Sequence, residues 1–422
     1  MARRTGTYVS TTAGGEAVEA FVPAALPPEP PVHFDSALIE ASELAHHALG
    51  RLNGLAGTLP DLALFRDLFV RREAVFSSQI EGRRSSLGAL LFFEQNRVAL
   101  PGVDLDDVLD VLNCVDAIEH GLARLREGCP ASIPLLCEVH RVLFSARAGR
   151  SRAPGTVRTT QIRFDAGVGP RVDGRVGAGV GGRVGAGIGR RVGAGVGRRV
   201  GGGGASLAPF VPPPPDQLAG LLSDLERFLQ SGSRRTSSLT KAALAHAQFE
   251  TIHPFVDGNG RVGRLLIILI LCADGLLGEP LLDLSLFFRR RQPEYYQRLD
   301  RVRTHGDWEG WLVFFFQGVR EAATDAVALA GAILQEFERD RRSIAVLKRA
   351  SGSCLEVHRH LLRRPVTTIR SAAREVPLTR PTIAAALRRL EALGIVEEIT
   401  GRRRHKTYRY RRYLDLLSRD EP

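Results

Sequence analysis

The sequence predicts a mainly α-helical fold with a small α+β domain at its C-terminal end. Three observations lead there. Apolar residues recur at helical spacing from about residue 35 to about residue 335. Strand signals are almost absent before residue 360. Residues 353–412 then change character, with three short helical patterns followed by two β-like runs. At 422 residues the chain has room for two or three domains and a large core, so it needs no disulfide or metal staple.

Residues 1–34 lack periodicity, are rich in proline near 25–31, and read as an irregular arm. An N-terminal helical domain is expected over 35–112. Its clearest helix is 61–81, where Leu62, Leu64, Phe65, Leu68, Phe69, Val75, Phe76 and Ile80 make a broad apolar stripe and Gly82 marks a stop. A catalytic core is expected over 113–340. Helices fit 104–126, 134–144, 216–230, 238–251, 293–303 and 308–336, and another starts near Arg261 and carries the apolar run 265–271.

Residues 167–204 interrupt this pattern. Arginine-valine-glycine units recur every eight residues at Arg175, Arg183, Arg191 and Arg199, and 17 of the 38 residues are glycine. Such a segment buries too little apolar surface to offset its backbone entropy and reads as a flexible insert. Gly177, Gly179 and Gly182 spell GxGxxG, but with no strand signal before them and no helix signal after they carry no nucleotide fingerprint.

The chain carries 58 basic and 46 acidic residues, a net charge of +12, which alone suggests nucleic-acid binding. The insert holds +6 and residues 345–422 hold +10, so the rest is mildly acidic at −4. No run of ~18 apolar residues could span a membrane. Residues 1–6 lack the apolar core of a secretory signal. Five scattered cysteines without a CxxC read as reduced thiols in a cytoplasmic protein.

The chemistry concentrates in His253-Pro254-Phe255-Val256-Asp257-Gly258-Asn259-Gly260-Arg261-Val262-Gly263-Arg264, between two helices. Gly258, Asn259 and Gly260 readily take positive φ, so successive backbone N–H groups can form an anion nest that opens into a helix N-terminus. Arg261 and Arg264 share one face at i and i+3, where forked guanidinium groups can reach one anion. Asp257 is placed to hold Mg²⁺ against phosphate oxygens, and His253 to act as general base. Together they imply phosphoryl or nucleotidyl transfer.

These residues resemble the Fic family, whose signature HPFx(D/E)GNGRxxR is matched from His253 to Arg264 at every defined position. Flanking matches are Pro154, Gly155 and Arg158, the stretch 210–214, Tyr295-Tyr296, and Gly306-Asp307-Trp308. The resemblance covers roughly residues 35–335. It implies an all-helical core that transfers AMP from ATP, with Mg²⁺, to a Ser, Thr or Tyr hydroxyl of a target protein, itself included. His253 would be the base, Asp257 the metal ligand, and Phe255, Gly258, Asn259, Gly260, Arg261, Arg264, Tyr295 and Tyr296 the ATP and phosphate site. Thr160, Gln161 and Ile162 would form the target-docking flap. Many relatives carry an asparagine near the nucleotide where Arg291 stands here.

Residues 77–82, Ser77-Ser78-Gln79-Ile80-Glu81-Gly82, match the family's inhibitory motif (S/T)xxxE(G/N). At a helix C-terminal end the dipole disfavours a carboxylate by ~0.3–1 kcal/mol, which invites a cationic partner. The resemblance implies that Glu81 pairs with Arg264 and blocks the productive ATP pose, with Ser77 and Gly82 in the same motif.

A third region, 345–415, is expected to be a winged helix-turn-helix domain: helices at 354–362, 368–375 and from Thr379-Arg380-Pro381 onward, then strands at 395–399 and 406–410. Arg380, Thr382, Arg388, Arg402, Arg403 and Arg404 are candidate DNA contacts. Three functions therefore compete: an AMP transferase with a regulatory tail, a DNA-binding regulator that uses the core as a nucleotide sensor, and a de-AMPylase or other phosphodiester transferase. A homodimer is a further expectation.

Overall fold

The structure, a computed structural model, describes residues 3–145, 153–164, 170–172, 175–176, 210–231 and 236–420. Most of the predicted 167–204 insert lies outside these residues.

The first element corrects the expected irregular arm. Strands β1 (Gly6–Ala13) and β2 (Glu16–Pro23) form an antiparallel hairpin with full register from Gly6 opposite Pro23 to Ala13 opposite Glu16. Gly14 and Gly15 both take positive φ in its two-residue turn, as the twist of a tight hairpin demands. The hairpin joins the body through a bond from Phe21 N to Val211 O at 2.9 Å.

The helical body follows the expected pattern. It comprises α1 (Ser36–Ala56), α2 (Leu62–Ile80), α3 (Leu87–Asn96), α4 (Leu105–Arg126) and α5 (Ile133–Leu143). Asp35, Asp61, Ser86, Asp104 and Ser132 cap these five helices, each accepting a bond from a backbone N–H of the first turn. Then come β3 (Ile162–Phe164), β4 (Pro170–Val172) and β5 (Arg175–Val176), a small antiparallel meander. Contrary to expectation, pairing thus reaches into the start of the glycine-arginine insert. Next are α6 (Leu218–Gln230), α7 (Ser238–Ile252), α8 (Asn259–Ala273), α9 (Leu284–Arg290), α10 (Gln292–His305) and α11 (Trp308–Ala345). Helix α8 is central: every residue from 261 to 271 is buried. It packs against α7, α4, α5 and α2, while α1 runs along α11.

The C-terminal region holds α12 (Ser351–Arg363), β6 (Val366–Thr368), α13 (Ile369–Glu375), α14 (Arg380–Ala392), β7 (Val396–Glu398), β8 (Thr407–Tyr410) and α15 (Arg411–Leu417). Thr379 caps α14 and Pro381 sits in its first turn, as the sequence suggested. Two elements went unpredicted: β6, which pairs with β8, and α15, which packs back onto α11. The region shares one continuous apolar core with the body. Arg72 of α2 locks the two together, bonding Asp283 at 2.8 Å, Leu417 O at 2.6 Å and Asp420 at 3.3 Å. No helix among the described residues is long and apolar enough to cross a membrane.

Candidate active site

The site forms where α7 ends and α8 begins. His253 terminates α7 with φ at +50°, and Gly258 starts α8 with φ at +77°. A side chain at Gly258 would meet Phe144 at 2.7 Å, so glycine answers both the backbone conformation and the space. Between them Asn259 closes the loop on itself: Oδ1 accepts the Phe255 N–H and Nδ2 donates to Phe255 O, both at 2.8 Å. With Asn259 so engaged, α8 has no side-chain cap, unlike α1 to α5. Its first N–H groups stay open to an anion.

His253 is partly buried, and its Nδ1 lies 3.3 Å from Glu250 O. A carbonyl only accepts, so Nδ1 carries the proton and Nε2 presents the lone pair. Burial, reinforced by the nearby Arg158 charge, pushes this imidazole down to about 3, so it is neutral at pH 7. Phe164 of β3 stands edge-on to the ring at 4.8 Å.

Arg158 holds its own segment to the loop that follows α7. Its N–H bonds Pro254 O and its Nε bonds His253 O, both at 2.9 Å. Nη1 reaches Thr160 O at 3.1 Å and Nη2 reaches Pro213 O at 2.7 Å. Gln161 adds a bond to Pro212 O at 2.8 Å, and Ile162 is fully buried in β3. Thr160 shares Arg158 with the His253 backbone, while the residue of this segment that touches the His253 ring is Phe164. Burial alone lowers Arg158 to about 10, which still leaves it charged.

Arg264 is 2% exposed and held by three bonds: Nε bonds Ser77 Oγ, and Nη2 bonds Ser77 O and Glu81 Oε1, all at 2.9 Å. Burial opposes its charge, but Glu81 carries the guanidinium above its ordinary range. The Glu81 carboxylate lies against Gly260, where any side chain would collide with Oε1. A carboxylate thus occupies the start of α8, so the place fits an anion. Gly82, at φ +84°, turns the chain away from α2 just beyond Glu81. Gln292 secures the end of α2 through a 3.0 Å bond to Ile80 O.

Arg261 lies over the Phe144 ring at 5.3 Å, and its Nε and Nη1 are buried without a protein partner. It borders a void of about 10 Å³ with Glu73, Ser77 and Cys114, space on the order of one water. Asp257 is exposed at the loop's edge, with Oδ1 accepting the Gly258 N–H at 2.7 Å. Its single carboxylate suits Mg²⁺, which binds through one or two carboxylates plus substrate phosphates. Among the described residues no group of three or more His, Cys, Asp or Glu could hold a metal by itself.

Two expected nucleotide contacts lie elsewhere. Phe255 is buried and stacks on His140 at 3.9 Å, so it packs the loop from beneath. Tyr295 is buried among Phe288, Trp311 and His246, and its hydroxyl donates to His246 Nε2 at 2.8 Å. His246 in turn donates from Nδ1 to Gly263 O at 2.8 Å, supporting the α8 turn that bears Arg264. Tyr296 is partly buried beside it. Arg291 is tied to Glu321 at 3.0 Å and stacked over Phe287. Sequence reasoning gave His140 and His246 no role, because each looks like one more residue on an apolar helix face.

Known proteins share parts of this architecture. The Fic/DOC family matches residues 130–271, and the Fic/DOC family N-terminal region matches residues 39–123. A probable protein adenylyltransferase of Aquifex aeolicus is 43% identical over 85 residues, 20% of this chain and 24% of the relative. The Drosophila melanogaster protein adenylyltransferase Fic is 47% identical over 66 residues, 15% of this chain and 13% of the relative. The matches thus span a quarter or less of these curated relatives. A crystal structure of a Fic family protein from Desulfovibrio desulfuricans superposes with a TM-score of 0.54 at 19% identity, covering 90% of this chain and 98% of that one, a likeness of fold.

Proposed function

Because the chain belongs to the Fic/DOC family, we propose that it transfers AMP from ATP to a hydroxyl side chain of a protein, its own chain included. One observation carries this reading. An anion, the Glu81 carboxylate, already lies at the uncapped start of α8 against Arg264, on the same loop as a neutral imidazole.

In this reading His253 Nε2 takes the proton from the target hydroxyl as that oxygen attacks the α-phosphorus. The bond from the α-phosphorus to the bridging oxygen breaks, pyrophosphate leaves, and a phosphodiester joins AMP to the target. Backbone N–H groups at the start of α8, with Arg261 and Arg264, neutralise the developing phosphate charge. Mg²⁺, held by Asp257 and the phosphates, would add further charge neutralisation. Glu81 acts as a brake, because a triphosphate that needs Arg264 must first displace it. The flap strand Ile162–Phe164 would align an extended segment of the target beside His253.

The test is intact-mass analysis after incubation with Mg-ATP. Glu81→Gly should gain one AMP while the Glu81→Gly, His253→Ala double variant gains none. An unmodified Glu81→Gly protein that also labels no lysate protein would reject transfer. Loss of AMP from a modified substrate instead would favour the de-AMPylase reading.

Exposed arginines support a second role for residues 345–415. Arg380 and Arg388 on α14, and Arg402, Arg403 and Arg404 between β7 and β8, all face solvent, which suits a winged helix that docks on DNA phosphates. Thr382 bonds Thr379 at 2.8 Å within the cap of α14, so it serves the helix start first. A gel shift comparing the full chain with a variant carrying Arg402→Gln, Arg403→Gln and Arg404→Gln decides this role: an unchanged shift rejects it.

A further inference from the structure

Three buried side chains outside the twelve-residue motif bond the motif's own backbone: Arg158, His246 and His140. His140 projects from α5 and is 2% exposed. Its Nδ1 accepts the Gly155 N–H at 2.7 Å. A backbone N–H only donates, so Nδ1 is unprotonated and the ring proton sits on Nε2. Nε2 lies 3.0 Å from Asp257 O and donates to it. The tautomer follows from the partners.

The peptide linking Asp257 to Gly258 is therefore held at both polar ends. His140 takes its C=O, and Asp257 Oδ1 takes its N–H at 2.7 Å. Gly258 can adopt φ of either sign, so this peptide could otherwise rotate at little steric cost. Rotation would turn a carbonyl oxygen toward the anion site and swing the Asp257 carboxylate away. The imidazole also stacks on Phe255 with ring centroids 3.9 Å apart and planes 11° from parallel. Phe144 tilts against the imidazole at 4.9 Å and fills the space beside Gly258.

We propose that His140 is a positioning residue for the anion-binding loop, fixing the peptide between Asp257 and Gly258 so that the Asp257 carboxylate and the first N–H groups of α8 face the bound phosphates. The inference rests on reading the motif as a nucleotidyl-transfer site. A purely packing role would be met equally by phenylalanine, which stacks as well and bonds nothing. Glutamine offers the reverse: it can accept from Gly155 and donate to Asp257 while losing most of the stack.

The experiment compares His140→Phe and His140→Gln, each in the Glu81→Gly background. Three readouts are amide hydrogen exchange over 253–262 in nucleotide-free protein, the Mg²⁺ concentration for half-maximal AMP transfer, and the melting temperature. Removing a group that orients a metal ligand costs about 10–100-fold in metal affinity or activity. His140→Phe should raise the Mg²⁺ requirement by that order and speed exchange at 257–259, with the rest of α5 and α8 still protected. His140→Gln should recover most of both. Unchanged exchange and Mg²⁺ dependence in His140→Phe would overturn the proposal. So would a glutamine variant as impaired as the phenylalanine one. Should His140→Phe fail to fold, exchange in His140→Gln decides alone, wild-type protection being expected. Should Glu81→Gly itself transfer no AMP, the functional reading falls, while exchange still judges His140.

Discussion

The arginines gathered around the 253–264 loop and those of the C-terminal region share a chemistry and differ in every physical circumstance. Arg158, Arg261 and Arg264 are nearly sealed from solvent. Arg158 and Arg264 spend their donors on named carbonyl, hydroxyl and carboxylate oxygens. Arg380, Arg388, Arg402, Arg403 and Arg404 stand in water. A buried guanidinium that is matched, as those of Arg158 and Arg264 are, has its position set by its partners and serves geometry. An exposed one contributes field and adaptability, which serves association with a polyanion. The first group works only where it is. The second can be moved or traded with modest loss.

The largest effect that would break this contrast is at His253, which Arg158 holds through its carbonyl. His253→Ala should lower AMP transfer by about 10²–10⁴-fold, the range of a lost general base, with folding intact. Label incorporation from ATP measures it. An unchanged rate would mean that the buried cluster is architecture alone.

Next comes Arg72, buried like the catalytic arginines yet remote from the chemistry. It joins α2 to Asp283, Leu417 and Asp420. Arg72→Met leaves Asp283 buried without its cation, which should cost about 3–5 kcal/mol of unfolding free energy by denaturant titration. A loss under about 1 kcal/mol would show that even sealed arginines here are replaceable.

Glu81→Gly follows. It removes the carboxylate that occupies Arg264 and should raise transfer by roughly 5–150-fold, the span of a coupling worth ~1–3 kcal/mol. For the exposed set, replacing Arg402, Arg403 and Arg404 together by glutamine should weaken duplex DNA binding. The slope of log affinity on log salt should shrink by about 0.9 for each phosphate the variant no longer neutralises. An unchanged slope would assign the region to protein contacts.

The same contrast explains what the sequence made legible. Helices were readable because apolar spacing and caps such as Asp61, Asp104 and Thr379 lie within a turn of each other. The spacing of Gly258, Arg261 and Arg264 was readable because one loop and one helical turn contain it. The hairpin Gly6–Pro23 was overlooked although Gly14-Gly15 between two alternating runs is a hairpin signature; threonine and serine along it masked the apolar face. His140 could not be found that way. It reaches Asp257 across 117 residues of sequence, and nothing local distinguishes it from a core histidine. Phe255 and Tyr295 fell inside the motif and its flank yet face the core, since conformation decides which side of the chain a ring takes.

The smallest effect concerns an arginine between the two extremes. Arg3 ties the N-terminal strand to the body, donating to Glu309 at 2.8 Å, to Gly306 O at 2.8 Å and to Pro30 O at 2.9 Å. The Arg3 hydrogen bond holds the Glu309 carboxyl down at about 2. A depressed carboxyl contributes stability above its unfolded value near 4.5, and that contribution disappears as pH falls toward 2. Because Glu309 is partly exposed, water screens the pair, and about 1 kcal/mol is the expected size. Melting temperatures of wild type and Glu309→Gln should therefore differ by a constant amount from pH 5 to 8 and converge between pH 4.5 and 2. Equal melting temperatures at every pH would assign the hold on the N-terminal strand to the Arg3 bonds with Gly306 and Pro30. Arg3 would then behave as the catalytic arginines do, through fixed carbonyl partners, and its charge pair would be incidental.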